Sequence, residues 1–459
     1  MKIKKWIGGI LVVLLIAILG TYFLNGELLQ GRIRLVTPSG TTWYVDTIGG
    51  GDGTSITSPM LPGAAILDAE NGDKIIFSAG TYLVDDDIWG LGVYVTGKDL
   101  ILQGAGIGLT IMDCSLDGFV FYNATVDVIG MTFIKTMEDG DAEGETAVYA
   151  LGGANVNLDR IEVKDFPLQA IYVDGEGTEL IVENSYFQNN YQAIHIFNGA
   201  NGYINNNKFT KNVDLAIFIV EGTESTIKNN IFFKNRVGVE VRDSEALVDG
   251  NVFEKNEWGA YAYSYDGGIS NNQILNNKFL SSSVVGMSLS GSPEDSTLSA
   301  NLFSKNAIGI NVWDGASSII TNNVVTDQIG NGIISTGASP TIAYNTIANS
   351  GGNGITLDEG DTSYVVNNIL YKNIYGLLVD AMAGAVEVGY NDAYGNTTDI
   401  SGTYVDLGGN RYDDPAFVSV ISFDLSSISP LINQGALYFV DDDFEGNSRT
   451  NPDIGAYEF

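Results

Sequence analysis

Residues 207–229 read NKFTKNVDLAIFIVEGTESTIKN, residues 230–250 read NIFFKNRVGVEVRDSEALVDG and residues 251–262 read NVFEKNEWGAYA. Each segment opens on Asn and places a large apolar residue two positions later. Six or seven residues further on it reaches a small-apolar-x-apolar word: AIFI, GVEV, GAYA. The pattern continues in both directions. Its Asn positions are Asn184, Asn207, Asn230, Asn251, Asn277, Asn301, Asn323, Asn345, Asn368 and Asn391, in steps of 23, 23, 21, 26, 24, 22, 22, 23 and 23 residues. A chain that repeats itself at a short fixed period is a stacked solenoid, each repeat burying its apolar face only against its neighbours.

The content of a repeat selects the kind of solenoid. No segment of the array carries the 3-4-3 apolar spacing of a helix. Bursts of Val, Ile, Phe and Tyr two to four residues long alternate with Gly, Asn, Asp and Ser, which is the punctuation of strands and turns. A coil of about 23 residues then holds three short strands and three bends, with coils spaced at the parallel-strand distance of about 4.8 Å. Asn suits a tight bend because it tolerates the left-handed backbone region, and stacked amides can bond along the axis. The Asn column therefore reads as scaffold. The count of 56 Gly against 9 Pro in 459 residues suits a chain that turns often yet keeps its ladder donors. With degenerate early words such as VIGMTFI and LDRIEV, about twelve coils are expected.

These features, with both ends of the chain, resemble the right-handed parallel β-helix proteins of the pectate-lyase-like superfamily. Residues 42–82 (TWYVDTIGGGDGTSITSPMLPGAAILDAENGDKIIFSAGTY) are similar to the family's opening segment, a first strand followed by a short Ala-rich helix and a GD-turn. The resemblance implies that this helix, about Leu61 to Glu70, caps the first coil, which otherwise exposes unpaired strand edges. The tail, DLSSISPLINQG followed by DDDFEGNSRTNPDIGAYEF, resembles the closing module of bacterial surface β-helix proteins that end in a DIGAYE-like word. The expected organisation is a basic end (1–5), a membrane segment (6–24), a linker (25–41), an N-terminal cap (42–82), the β-helix (83–400) and a C-terminal capping module (401–459).

Lys2, Lys4 and Lys5 precede an uncharged run from Trp6 to Leu24, about nineteen residues and long enough to cross a bilayer. The run ends without an Ala-x-Ala-like cleavage word, so an uncleaved signal anchor is the reading, with cleavage and secretion as the alternative. The basic end stays inside and the β-helix lies outside the cytoplasm. One cysteine, Cys114, excludes an internal disulfide framework and reads as a buried thiol. With 22 Lys and Arg against 56 Asp and Glu, the net charge of −34 argues against nucleic acid as a partner. It also repels polyanionic glycans unless a divalent cation bridges carboxylates.

Side chains alternate in and out along the small-apolar-x-apolar strand. One outward column reads Tyr172, His195, Phe218, Glu240, Tyr261, Ser288, Asn311, and a second reads Asp174, Phe197, Val220, Arg242, Tyr263, Ser290, Trp313. Aromatic rows with carboxylates and a guanidinium suit sugar rings, which have apolar faces and hydroxyl edges. The resemblance implies a glycan groove on this strand face; stacking for cross-rung packing is the plainer reading. Glu240, Arg242, His195 and Asp174 are the candidate catalytic residues, with Glu240 pairing Asp174 or Asp214 for acid–base work. Tyr172, Phe197, Phe218, Tyr261, Tyr263 and Trp313 are the candidate sugar contacts. The Gly-His-Gly, Arg-x-Pro-x-x-Arg and Asp-Pro-His words of enzymes of the resembled family are missing.

Two acidic runs, Asp85–Asp87 and Asp441, Asp442, Asp443 with Glu445, are candidate calcium ligands, since calcium takes six to eight oxygens. One His and one Cys exclude a zinc or copper site built by this chain alone. Two function classes follow. One is a membrane-anchored extracellular protein that binds, and in one version cleaves as a lyase or hydrolase, a polysaccharide or cell-surface glycan. The other is a non-catalytic structural or adhesive solenoid.

Overall fold

The computed structural model describes residues 36–84, 93–114, 118–136, 146–265, 271–291, 296–419, 421–437 and 440–459. The expected membrane segment Trp6–Leu24 and the run Asp85–Asp87 lie outside them. Among the described residues no helix is long and apolar enough to cross a membrane.

Each repeat forms three strands. One turn is Glu179–Glu183, Tyr186–Gln188 and Gln192–Phe197, and the next begins at Asn201. Every strand pairs in parallel with its counterpart one repeat later, as Phe187 with Phe209 and Ile194 with Ile217. Numbered in the order the chain visits them, sheets 1, 2 and 3 hold 16, 14 and 14 strands. The molecule is an all-β right-handed parallel solenoid of about thirteen turns, slightly longer than the repeat count suggested.

The interior is one continuous apolar column. Sheet 2 contributes Phe187, Phe209, Phe232, Phe253, Phe279 and Phe303, all fully buried, whose neighbouring rings stack at 4.7 to 5.0 Å. This stack dictates the small residue that opens each sheet 3 word. A Cβ on Gly259 would lie 2.8 Å from the Phe279 ring and 2.2 Å from the carbonyl oxygen of Gly286.

The Asn ladder is real, with one correction to its membership and one to its cause. From Asn207 to Asn391 each ladder amide is buried. The Asn230 Nδ2 donates to the carbonyl of Ile204 (2.8 Å) and to Asn251 Oδ1 (3.1 Å), and the Asn230 backbone N–H donates to the same oxygen (2.9 Å). Asn184 is not a member: it is exposed at positive φ, and Ser185 takes the buried place below Asn207. The left-handed residue is the one before each ladder Asn: Asn206, Asn229, Gly250, Asn276, Ala300, Asn322, Tyr344, Asn367 and Tyr390. The ladder Asn is there for its amide. A second buried ladder, unread in the sequence, runs through Asn190, Asn212, Asn235 and Asn256 at the next bend. Its signal was present as a second Asn five residues after the first in NKFTKN, NIFFKN and NVFEKN.

Both ends of the core are closed. The helix Pro62–Asp68 buries Pro62, Ala65 and Ile66 against the first coil, and Lys98 Nζ donates to the carbonyls of Ile66 and Leu67, both at 3.0 Å. The GD-turn is organised by buried Asp73, which accepts from Thr41 N, Trp43 Nε1 and Glu70 N at 2.6 to 2.9 Å. At the far end Ile400 and Tyr404 pack on the column. The rest of the C-terminal module does not extend the axis. It folds back over the outer face of sheet 2, where Phe423, Leu425, Leu431, Ile454 and Ala456 cover Val324, Ala348, Ile369 and Tyr371.

Candidate functional site

Sheet 3 has the longest strands of the repeat, up to six residues, so each rung can present several outward side chains. Cross-rung pairing places Tyr172, His195, Phe218, Glu240, Tyr261 and Ser288 on successive rungs. Beside them Asp174 pairs with Phe197, and Arg242 with Tyr263, followed by Ser290 and Trp313. Both expected columns therefore stand in register. A third outward column, Leu215, Val237, Trp258 and Val285, was not read from the sequence. Its Leu215, Val237 and Trp258 join Phe197, Phe218 and Val220 in a small apolar cluster on the outside of the solenoid.

That cluster corrects the picture of an open aromatic row. Phe218 is 7% exposed and Tyr263 8%, because neighbouring rows of large side chains shield one another. Tyr172, Phe197 and Tyr261 are half-buried. Of the expected sugar contacts Trp313 is the most open, at 39%, and the flanking Tyr265 is 66% exposed. Trp313 Nε1 donates to Ser288 Oγ (3.2 Å), which fixes the indole toward the preceding rung.

Glu240 and Arg242 are half-buried rather than free in solvent. Tyr263 Oη donates to Glu240 Oε1 at 3.0 Å, and the Arg242 guanidinium lies 4.8 Å from the centre of the Phe218 ring, a cation–π contact. Burial pushes the Glu240 carboxyl above its ordinary value; the Tyr263 hydrogen bond and Arg242 pull the other way, and Asp214 adds to the rise. His195 is packed between Tyr172, Phe197 and Phe218, at centroid distances of 5.7, 5.4 and 4.8 Å. Burial, then the Arg242 charge, pushes its pKa down to about 4, so the ring is neutral near pH 7. Its Nδ1 is buried without a hydrogen-bond partner.

The structure does not bring Asp174 to Glu240. Three rungs separate Asp174 from the rung of Glu240 and Arg242, about 14 Å at the parallel spacing. Paired glycosidase carboxylates stand about 5–9.5 Å apart. Asp174 instead accepts from Asn198 Nδ2 at 3.0 Å. Asp214 is close enough to act on Glu240, but its carboxylate is held by Arg236 Nε (2.9 Å) and Gln192 Nε2 (3.1 Å).

The acidic run near the C-terminus is organised around Asp443. Asp443 is buried, and its carboxylate accepts from the backbone N–H groups of Glu445, Asn447 and Glu458 and from Asn447 Nδ2, at 2.7 to 3.0 Å. Asp441 and Asp442 are exposed beside it. Among the described residues no group of three or more His, Cys, Asp or Glu is arranged to hold a metal ion. Asp443 is the keystone of a turn.

Fold and site together define a right-handed parallel β-helix with a half-buried aromatic and ionic strand face. The chain belongs to the right-handed β-helix family: residues 117–279 and 261–398 match the family described as "Right handed beta helix region". No curated protein matches it in sequence. Among solved structures it is similar to a PL6 alginate lyase in complex with a trisaccharide, at 13% identity over 93% of this chain and 96% of that one, TM-score 0.51. It is also similar to an alginate lyase in complex with G6 (11% identity, 86% and 93% covered, TM-score 0.47) and to pectate lyase Pel9A (16%, 92% and 97%, 0.38). At these identities the likeness is one of fold.

Proposed function

We propose that this is a membrane-anchored extracellular β-helix protein that binds a polysaccharide along the outer face of sheet 3, with Glu240 as the residue for turnover. The observation that carries the reading is one patch of that face. There a neutral, unpartnered His195, a Tyr263–Glu240 hydrogen bond and the Arg242 guanidinium lie among half-buried rings. Polar groups set in an aromatic surface suit sugars, whose hydroxyls seek partners while their ring faces lose water. The alginate lyase of similar fold was solved with a trisaccharide, which supports a glycan ligand. Glu240, held above the ordinary carboxylate range, suits a general acid; Arg242 suits a hydroxyl or carboxylate. The Trp6–Leu24 run supplies the anchor.

A glycan array probed with the full-length chain tests this. Binding is expected to weaken with Trp313→Ala and Tyr261→Ala. Any turnover is expected to disappear with Glu240→Gln, which keeps an acceptor for Tyr263, and to fall as pH rises through the Glu240 pKa. A recognised glycan whose binding and turnover ignore all three variants would place the site elsewhere. The burial of Phe218 and Tyr263 favours a second reading, in which the face is only packed and the solenoid is an inert spacer; an array with no binder supports it.

A further inference from the structure

The solenoid's charge is unevenly placed. On the outer face of sheet 2, five consecutive rungs each carry at least one lysine. The strand Lys208–Thr210 brings Lys208 and Lys211, Ile231–Phe233 brings Lys234, Val252–Glu254 brings Lys255, Lys278–Leu280 brings Lys278, and Leu302–Ser304 brings Lys305. These strands are direct neighbours in register. Lys211, Lys234 and Lys255 occupy the same bend on three consecutive rungs, each at positive φ, and Lys305 continues the line after Ser281 on the intervening rung. All six lysines are exposed. Only Lys255 has an ion-pair partner among the described residues, its neighbour Glu254 at 2.7 Å. Within these strands Glu254 is the one acidic residue; the bends that follow also carry Asp214, which is held by Arg236, and exposed Glu257.

We propose that this face is a second binding track, separate from sheet 3, for a linear polyanion: an acidic polysaccharide lying along the solenoid axis. The net charge of −34 does not forbid it. At physiological salt the screening length is about 8 Å, so the local sign governs contact. A straight line of cations, at about 4.8 Å per rung, fits an extended polymer better than a compact ligand. Single-stranded nucleic acid fits less well, because it needs open aromatic platforms. Here Lys234 and Lys255 already sit over the Phe233 ring, at 5.2 and 5.5 Å. The track ends at Leu302, which packs under the folded-back C-terminal module.

The test uses the full-length chain with polygalacturonate, its fully methyl-esterified neutral counterpart and poly(dT). Polygalacturonate is expected to bind at low salt, with affinity falling steeply as salt rises, and the ester is expected not to bind the track. The triple variant Lys211→Gln, Lys234→Gln, Lys255→Gln is expected to lose about tenfold or more in affinity. Its log–log salt slope should become shallower by about two, since each of the three lost cations removes about 0.7 of a released counterion on a single-stranded polyanion. Trp313→Ala should leave this binding unchanged, which separates the track from the sheet 3 site. Lys208→Gln with Lys278→Gln gives an independent reading from strand positions. Absence of polygalacturonate binding at low salt, indifference to both sets of variants, or equal affinity for poly(dT) overturns the proposal.

Discussion

Asn251 condenses the physics of the repeat into one side chain. It is fully buried, its amide donates to Ile227 O (2.8 Å) and Asn277 Oδ1 (3.0 Å), and its own Oδ1 accepts from the Asn230 backbone N–H (2.9 Å) and Nδ2 (3.1 Å). Leu at this position removes both roles and leaves buried partners unsatisfied. Asn251→Leu and Asn301→Leu are each expected to destabilise by about 1–3 kcal/mol, measured by denaturant unfolding; unchanged midpoints would show the ladder to be dispensable. Asp392 is the opposite case, a buried carboxyl with an unpartnered Oδ2. Burial pushes it up to about 7; the Asp413 N–H and Arg411 favour the charge, while Asp413 and Asp399 repel it. The native state therefore keeps this proton to higher pH than the unfolded chain, whose carboxyl titrates near about 4, and stability falls as pH rises between those values. Asp392→Asn should abolish that fall. Unfolding midpoints of both proteins at pH 4.5 and 7.5 check it, and parallel changes would remove Asp392 as the cause.

At the scale of elements, the C-terminal module explains the DIGAYEF word. Asp453 accepts from the backbone N–H groups of Asn433 (2.6 Å) and Phe459 (2.7 Å), and Glu458 accepts from Asp453 N (2.8 Å) and from Arg449. Ile454 and Ala456 fill the apolar seam over sheet 2, while Gly455, at φ +106°, passes where a Cβ would meet Ile369. Arg449 is buried and binds the module to the coil through Asn322 Oδ1 (3.0 Å) and the Tyr344 ring, 4.3 Å away. That contact accompanies a Tyr at positive φ, a strained choice for a bulky residue. Arg449→Leu leaves Glu458 without its charge partner and is expected to cost about 3–5 kcal/mol, with the tail becoming sensitive to limited proteolysis. A tail as resistant as wild type would show that the apolar seam alone holds it.

For the whole molecule, about thirteen rungs at about 4.8 Å give a stack about 60 Å long. Its stability is spread over neighbour contacts rather than held in one centre. Small-angle scattering of the full-length chain in detergent should report an elongated particle; a compact particle would contradict the stack. The anchoring reading belongs to this scale as well. The full-length chain should fractionate with membranes and resist alkaline carbonate extraction, and recovery of a shortened chain from the medium would reverse it.

The fold class, the three-strand coil and the register of Tyr172, His195, Phe218 and Glu240 were legible in the sequence because they depend on two local periods. One is the alternation of side chains along a strand, the other the length of a repeat. The opening helix was legible for a similar reason, being a short contiguous word. The tertiary structure decided everything that depends on what covers what. It moved the buried place from Asn184 to Ser185, since the bend's hydrogen bonds distinguish adjacent polar residues that composition does not. It half-buried Glu240 and buried Tyr263 under side chains of neighbouring rungs. It also carried residues 440–459 back onto sheet 2, through contacts such as Asn322 with Arg449 that link positions more than a hundred residues apart. No local period encodes a contact of that range; it follows from packing an apolar seam once the coil exists.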